Sequence, residues 1–284
     1  MKLYHVDAFT SRVFGGNPAA VIPVGEWPDD DAMQAIAAEN NLSETAFIGP
    51  DADGDDRRIR WFTPEREVDL CGHATLASAH VLWNHEGEVV EQLTFASRSG
   101  PLSVSREMQQ GEHAMDLIVL DFPAFGTEPV EITAALVEAL GARPSELHRS
   151  TGAKRNLMAV FESKKDVHDL RPDFETLADR ALVGDSLGLI ATAPGASHDF
   201  VSRYFAPAAG VPEDPVTGSA HCVLAPYWGA RLGKSRLSAR QVSKRGGELR
   251  CDLASSEHGD RVLIAGHAVT YMVGEIGVAT PVTA

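Results

Sequence analysis

The sequence predicts an α+β protein made of two similar halves, and two observations carry this prediction. The segment Arg60–Pro64, which reads RWFTP, returns about half a chain length later as Arg203–Pro207, which reads RYFAP, in a chain of 284 residues. Each half also contains many strand-like runs and one long helix. A repeat at half the chain length indicates a duplicated domain. Strands in such excess favour a curved sheet around the helix of each half.

In the first half, short runs in which apolar and polar residues alternate predict most of the elements. We expect strands at Leu3–Ala8, Ala19–Pro23, Leu42–Ile48, Arg57–Phe62, Val89–Ala96, Leu102–Arg106 and Ala114–Leu120. Asp29–Asp31 supply capping carboxylates for a helix over Ala32–Glu39, which ends at Asn40 and Asn41. A longer helix is predicted over Ala74–Trp83, where apolar residues recur at helical spacing.

The second half repeats this order of events. We predict helices over Thr133–Leu140, from Pro172 to Gly184 and from Ser219 onward, extended segments at Leu157–Phe161 and Asp199–Phe205, and an apolar run at Leu187–Ala193. The boundary between the domains is expected between Gly111 and Pro129. We therefore assign residues 1–115 to the N-terminal domain, completed by a C-terminal strand within 268–284, and residues 116–267 to the second domain.

Composition excludes several classes of function. A formal net charge of -15 repels nucleic acid and anionic membranes, and no stretch of 18 apolar residues is present to span a bilayer. The three cysteines are an odd number without a C-x-x-C motif, which is typical of reduced thiols in the cytoplasm. We therefore expect a cytoplasmic protein that acts on a small molecule.

Two glycines, Gly72 and Gly218, stand just before the helical segments of the two repeated copies. The first N–H groups of a helix lack partners inside the helix and lie at its positive end. Two such ends that converge would bind a carboxylate and stabilise the charge that develops when a proton leaves the adjacent carbon. The alternative is that each glycine only allows a tight turn. The occurrence of a matched pair favours the carboxylate site.

Glu44 is the candidate acid–base residue. By strand alternation it shares a face with the apolar Ala46 and Ile48, and a partly buried glutamate is a better general base near neutral pH. Phe47 weakens the alternation, so an exposed glutamate on an edge strand remains an alternative. His73 and Asp214 lie beside the two helix starts, where each is either a loop or capping residue or a participant in proton transfer.

A metal site is not expected. The chain has 11 histidines, but none stands in H-E-x-x-H or H-x-H spacing. No spacing along the chain indicates three converging ligands, and two helix N-termini can supply the electrophilic role instead.

Several longer motifs identify a family. They are Asp7–Phe9 with Gly16–Val21, Asn41–Phe47, Asp69–Thr75, Asp199–Pro207 and Glu213–His221. Through them nearly the whole chain resembles the phenazine-biosynthesis-type isomerases, or PhzF-like proteins, of the diaminopimelate epimerase fold superfamily.

The resemblance implies a fold, a site and an assembly. The fold would be two similar domains, each a curved, mostly antiparallel sheet or barrel around a central helix, with the active site between the domains. Its catalytic residues correspond to Glu44, His73, Asp214 and Ser219, with the glutamate moving a proton between carbons of one small carboxylate-bearing substrate. We assign substrate binding to Asn17, Gly72, Thr217 and Gly218. The resemblance further implies no metal, no organic cofactor and a homodimer.

The two copies also separate reaction types. Their alignment places Cys71 opposite Thr217. Distant relatives that racemise amino acids resemble this fold but carry cysteine at both positions, so two-base racemisation is not expected here. A dehydratase or an epimerase of a small amino or hydroxy acid that uses Cys71 stays an alternative. A protein that binds a small acid without catalysis is the non-enzyme alternative. The sequence does not identify the physiological substrate or its pathway.

Overall fold

The computed structural model describes residues 1–52, 54, 57–109, 115–151, 155–256 and 259–277. The chain forms two compact units, which divide at Leu120 and again at Gly266: the first comprises Met1–Leu120 and the segment that begins at Gly266, and the second is Asp121–Ala265. No helix in the described part of the chain is long and apolar enough to cross a membrane.

The described part of the first unit contains nine strands and two helices. The strands are β1 (Lys2–Ala8), β2 (Asn17–Pro23), β3 (Glu44–Pro50), β4 (Arg57–Phe62), β5 (Glu67–Val68), β6 (Gln92–Ala96), β7 (Leu102–Glu107), β8 (Leu117–Pro123) and, from the end of the chain, β18 (Ala268–Glu275). The helices are α1 (Asp30–Asn40) and α2 (Gly72–Asn84). Ala114, where we expected β8 to begin, and residues 278–284 of the predicted last strand lie outside the described residues.

The strands of the first unit pair in a mixed but mostly antiparallel order. β1 is antiparallel to β18 and β2, β2 is parallel to β3, and β3 is antiparallel to β4. β4 is antiparallel to β5 and parallel to β6, and antiparallel pairs then join β6 to β7 and β7 to β8. Helix α2 packs on β1, β2, β3 and β18 and is buried along almost its whole length. This buried helix is the centre of the first unit.

Among its described residues, the second unit contains nine further strands and five helices. The strands are β9 (Thr127–Pro129), β10 (Glu146–Ser150), β11 (Leu157–Val160), β12 (Leu189–Pro194), β13 (Phe200–Ala206), β14 (Val211–Asp214), β15 (Arg236–Gln241), β16 (Gly247–Ser256) and β17 (Gly259–Gly266). The helices are α3 (Ala134–Leu140), α4 (Lys164–Asp169), α5 (Phe174–Leu177), α6 (Arg180–Val183) and α7 (Gly218–Leu232), with a 3-10 turn at Pro207–Ala209.

The second unit repeats the pairing of the first, strand for strand. β10 is antiparallel to β9 and β11, β11 is parallel to β12, and β12 is antiparallel to β13. β13 is antiparallel to β14 and parallel to β15, and antiparallel pairs then join β15 to β16 and β16 to β17. Helix α7 follows β14 as α2 follows β5. The predicted α+β fold with a duplicated sheet-and-helix unit is confirmed.

Local chemistry accounts for the ends of the first predicted helix. Asp29 is the N-cap of α1, and its carboxylate accepts a hydrogen bond from the Ala32 N–H at 2.7 Å. Asn41 ends the helix in the left-handed conformation with φ of 49°, which asparagine tolerates better than most residues.

One predicted helix is wrong. The segment from Pro172 to Gly184 forms two four-residue helices, α5 and α6, because the carbonyl of Asp179 starts a new helix. It accepts hydrogen bonds from the N–H groups of Leu182 and Val183. The six-residue helix α4 was not predicted; Ser163 and Asp166 form a capping box at its start.

Candidate active site

Glu44 is the first residue of β3, and the position of this strand decides the environment of the carboxylate. β3 lies between β2 and β4, and the residues from Thr45 to Gly49 are all buried. Both faces of the strand are therefore covered, which explains why Phe47 breaks the expected alternation. The alternative of an edge strand is wrong. The Glu44 side chain keeps 19% of its surface exposed, so the carboxylate lies where a buried strand reaches solvent.

His73 is the second residue of α2 and faces that carboxylate. Its Nε2 lies 3.2 Å from Oε2 of Glu44. The Nδ1 atom lies 3.2 Å from Nδ2 of Asn17, a fully buried residue at the start of β2. The two ring nitrogens thus face different partners, Asn17 at Nδ1 and Glu44 at Nε2.

A further hydroxyl extends this chain of contacts. The Oγ of Ser43 donates to Oδ1 of Asn17 at 3.3 Å, which orients the amide so that its NH2 group faces His73. Ser43, Asn17, His73 and Glu44 thus form one linked series. Sequence reasoning missed Ser43, although it immediately precedes Glu44, because no local pattern shows that it meets Asn17.

Burial sets the charge of His73. Desolvation lowers the pKa of this histidine to about 3, so the ring is neutral at pH 7. A neutral imidazole has one N–H donor and one acceptor nitrogen and can pass a proton on, but it is not a cationic acid. Of the proton-transfer roles that the sequence allowed for His73, that of a charged acid is therefore excluded.

Cys71 brings a third reactive group to the same place. It is the N-cap of α2, it is buried, and its Sγ lies 3.5 Å from Nδ1 of His73. Ligand atoms of Glu44, Cys71 and His73 all lie within 4.8 Å of one another. The expectation that no three potential metal ligands converge is therefore wrong. Motif spacing could not reveal this group because Glu44 comes from a distant strand.

The N-terminus of α2 contributes backbone donors. Cys71 has extended backbone angles and its side chain does not cap the helix. The Oγ1 of Thr75 donates to the Cys71 carbonyl at 2.6 Å, which holds the first turn in place. The N–H groups that begin at Gly72 have no partners within the helix, so they are oriented to receive an anion.

The second unit builds a different set of groups at the start of α7. Thr217 is the N-cap, and its hydroxyl donates to Oδ2 of Asp214 at 2.5 Å. Gln241, at the end of β15, accepts from the Thr217 N–H at 2.9 Å and donates to the Asp214 carbonyl at 2.8 Å. Gly218 is buried and Ser219 is exposed. Sequence reasoning missed Gln241, which only the pairing of β15 with β13 brings to this turn.

The structure thus assembles the predicted residues within each unit. Asn17, Glu44, Gly72 and His73 lie together in the first. In the second, Asp214 and Thr217 are hydrogen bonded, and Gly218 and Ser219 follow Thr217 at the helix start. That both sets act on one substrate stays a prediction.

Known proteins share this architecture and its sequence. The family model for phenazine biosynthesis-like proteins, PhzC-PhzF, matches residues 6–274. The chain belongs to this family. An uncharacterized isomerase of Pseudomonas aeruginosa is 51% identical over 276 residues, which cover 97% of this chain and 98% of that protein.

Solved structures agree with the family assignment. A crystal structure of a PhzF-family phenazine biosynthesis protein from Enterococcus faecalis superposes with a TM-score of 0.86 at 44% identity and covers 98% of this chain and 99% of the other. A probable proline racemase from Agrobacterium radiobacter shares the fold alone, with a TM-score of 0.69 at 11% identity over 99% of this chain and 94% of that one. The predicted PhzF-like family and the diaminopimelate epimerase type of fold are confirmed.

Proposed function

We propose that this PhzF-family protein is a cofactor-independent isomerase that moves a proton between carbons of a small carboxylate-bearing metabolite. The observation that carries the proposal is the contact of Glu44 with a neutral, buried His73 at the N-terminus of α2. The name of the Pseudomonas aeruginosa relative, an isomerase, supports the same class of reaction.

Glu44 is the proton carrier of the proposed reaction. A carboxylate needs an open side to reach a substrate carbon and a held side to keep its orientation, and Glu44 has both in its exposed 19% and its contact with His73. It would take a proton from carbon and return it to another carbon on the same face. His73 would hold the Glu44 carboxylate in position before the first transfer and after the second.

The helix start of α2 would hold the substrate. Its first N–H groups and its dipole favour the substrate carboxylate and the charge that develops on it as the carbon loses its proton. Gly72 leaves these N–H groups open to a ligand. We further assign Asp214 and Ser219 to catalysis and Asn17, Thr217 and Gly218 to substrate binding, on the strength of the family motifs.

Deuterium exchange tests the proposal. A library of small carboxylic acids is incubated with the protein in deuterated water, and mass spectrometry reports incorporation at carbon. Glu44→Gln keeps the shape and removes the base, so exchange should fall about a hundred- to ten-thousand-fold. Glu65→Gln, an exposed glutamate of the same unit, is the matched control and should exchange like the wild type. Full exchange by Glu44→Gln would refute the assignment.

The position of Cys71 favours a second candidate, a dehydratase or epimerase that uses this thiol. Its Sγ lies 3.5 Å from His73, within reach of the same substrate atoms as Glu44. Under this alternative Cys71→Ala is the inactive variant. For the wild type, mass spectrometry detects a product lighter by one water, or chiral chromatography detects a product inverted at one carbon. Under the isomerase proposal Cys71→Ala costs far less than Glu44→Gln. A protein that only binds small acids would show no exchange with any variant.

The proposal includes a homodimer in the cytoplasm. The resemblance to the family supports the dimer, and the three buried cysteines, none of them in a disulfide, agree with a reducing compartment. Sedimentation of the purified chain measures its mass in solution and tests the homodimer.

A further inference from the structure

Three metal-ligating side chains of different chemistry meet at the start of α2. They are the carboxylate of Glu44, the thiol of Cys71 and the imidazole of His73, whose ligand atoms lie within 4.8 Å of one another. No other group of three such residues occurs in the described ranges. Two of the members are buried, and the third, Glu44, opens to solvent. An ion in solution could therefore enter from the glutamate side.

One separation in the group suits a small tetrahedral ion. Two ligands of one Zn²⁺ ion stand roughly 3.3–3.6 Å apart, given bonds of about 2.0 Å to nitrogen or oxygen and about 2.3 Å to sulfur. Cys71 Sγ lies 3.5 Å from Nδ1 of His73. Glu44 faces the other ring nitrogen, Nε2, at 3.2 Å, so its carboxylate must move to reach an ion bound at Nδ1. Glu44 is the most exposed of the three and the one able to move.

The chemistry of the three ligands also suits Zn²⁺. Cys71 would release its thiol proton to solvent as the sulfur–zinc bond forms. The thiolate and the carboxylate then carry two negative charges, which the ion neutralises. A mixed set of sulfur, nitrogen and oxygen ligands selects Zn²⁺ over Mg²⁺ or Ca²⁺.

We propose that Glu44, Cys71 and His73 form a binding site for Zn²⁺, with water as the fourth ligand, and that the bound ion inhibits the enzyme. The binding itself follows from the geometry. The inhibition rests on the proposed function, because an ion on the Glu44 carboxylate takes the lone pairs that would accept the substrate proton.

Zinc binding is measured without substrate. The full-length chain is reduced, freed of metal and titrated with zinc chloride in competition with a chromophoric chelator. We expect one tight site per chain. Cys71→Ala and Glu44→Gln should each weaken it at least tenfold. Cys251→Ala, a fully buried cysteine remote in sequence from the group, is the matched control and should leave the affinity unchanged. With Co²⁺ in place of Zn²⁺, a sulfur-to-metal charge-transfer band should appear in the wild type and vanish in Cys71→Ala.

The outcomes separate this proposal from the isomerase. Zinc affinity that is the same in wild type, Cys71→Ala and Glu44→Gln would refute the site, whatever the chain catalyses. Melting temperatures show whether each variant folds. If Cys71→Ala does not fold, the zinc affinity of Glu44→Gln tests the site. Tight binding that fails to suppress deuterium exchange would keep the site and refute the inhibition. Absence of exchange with every acid would refute the isomerase and leave the binding result standing.

Discussion

The two units follow the same pairing scheme, yet they carry different chemistry at corresponding positions. In the first, Arg60 of β4 faces Phe47 of β3, three residues after Glu44. In the second, the repeated Arg203 of β13 faces Ala191 of β12, three residues after Gly188. Gly188 therefore stands where Glu44 stands. The acid–base group belongs to one unit only, although the backbone that presents it is present in both.

The helix starts differ in the same way. Cys71 and His73 flank the first glycine, whereas Thr217 and Ser219 flank the second. Asp214, which bonds to Thr217, faces Tyr204 across the β13–β14 pair, and the corresponding pair of the first unit joins Trp61 to the apolar Val68. Duplication thus preserved strand order and helix position, because these depend on packing, while the side chains at the helix starts diverged.

One arginine is common to both units but is held more firmly in the second. Arg203 forms two hydrogen bonds to Glu213, at 2.7 and 2.9 Å, and a third to the Leu170 carbonyl at 2.9 Å, and it is buried. Arg60 forms the same two bonds to Glu67, at 2.8 and 2.7 Å, but its third partner is the exposed carboxylate of Asp30.

Loss of Arg203 is the largest effect we expect from this comparison. Arg203→Met leaves Glu213 and a helix carbonyl without their partner inside the protein, and should cost about 3–5 kcal/mol of unfolding free energy. Arg60→Met should cost about 1 kcal/mol, because Glu67 keeps Arg98 at 2.7 Å and Asp30 is solvated. Urea unfolding of both variants measures the difference. Equal losses would show that the two arginines stabilise their units equally.

The second-largest effect is expected on the stability of the protein in acid. His221 of α7 hydrogen bonds to the Thr217 carbonyl at 2.8 Å, where the first unit uses Thr75 to bond to Cys71. Burial lowers the pKa of His221 from 6.5 to about 4, so the unfolded chain takes up this proton first as the pH falls. The contribution of neutral His221 to the free energy of unfolding is complete above pH 6.5. It declines by about 3 kcal/mol between pH 6.5 and 4 and does not change further below pH 4.

His221→Thr tests this by placing the side chain of the first unit in the second. The variant should lose stability at pH 7, because a cavity replaces the His221 ring. The centroid of this ring lies 5.8 Å from that of Phe200. Its stability should then fall less steeply than that of the wild type between pH 6.5 and 4. The urea midpoint across this range is the measurement, and parallel curves for the two proteins would contradict the assignment.

The smallest effect is expected at Thr75 itself. Thr75→Val keeps the volume and removes the hydroxyl that donates to the Cys71 carbonyl at 2.6 Å, which should cost about 1 kcal/mol. Thr45→Val removes another buried hydroxyl of the first unit, which accepts a hydrogen bond from Asn40 at 3.1 Å, and shows what such a loss costs away from the helix start. Because the bond holds the first turn of α2, Thr75→Val should also weaken zinc binding slightly. A loss of 3 kcal/mol or more of unfolding free energy would mean that the Thr75 hydroxyl does more than donate this one hydrogen bond.

Local patterns were sufficient for elements whose signals are local. Asp29 and Asn41 mark the ends of α1 because their side chains and backbone angles act within one turn. The prediction of one helix from Pro172 to Gly184 was wrong because helical composition did not reveal that a second helix starts at Asp179. The strand of Glu44 was located from its apolar residues, but whether it lay at an edge or inside the sheet could not be known from them.

By itself the sequence determined the duplicated α+β fold, the family and the identity of Glu44 and His73 as candidates, since repeats and motifs are written along the chain. Only the tertiary structure decided what surrounds them. The hydrogen bonds from Ser43 to Asn17 and from Asn17 to His73, the approach of Glu44 to Cys71 and His73, and the support of Thr217 by Gln241 join segments that are distant in the sequence. Such contacts depend on which strands pair and in which register, and packing of the whole unit determines both.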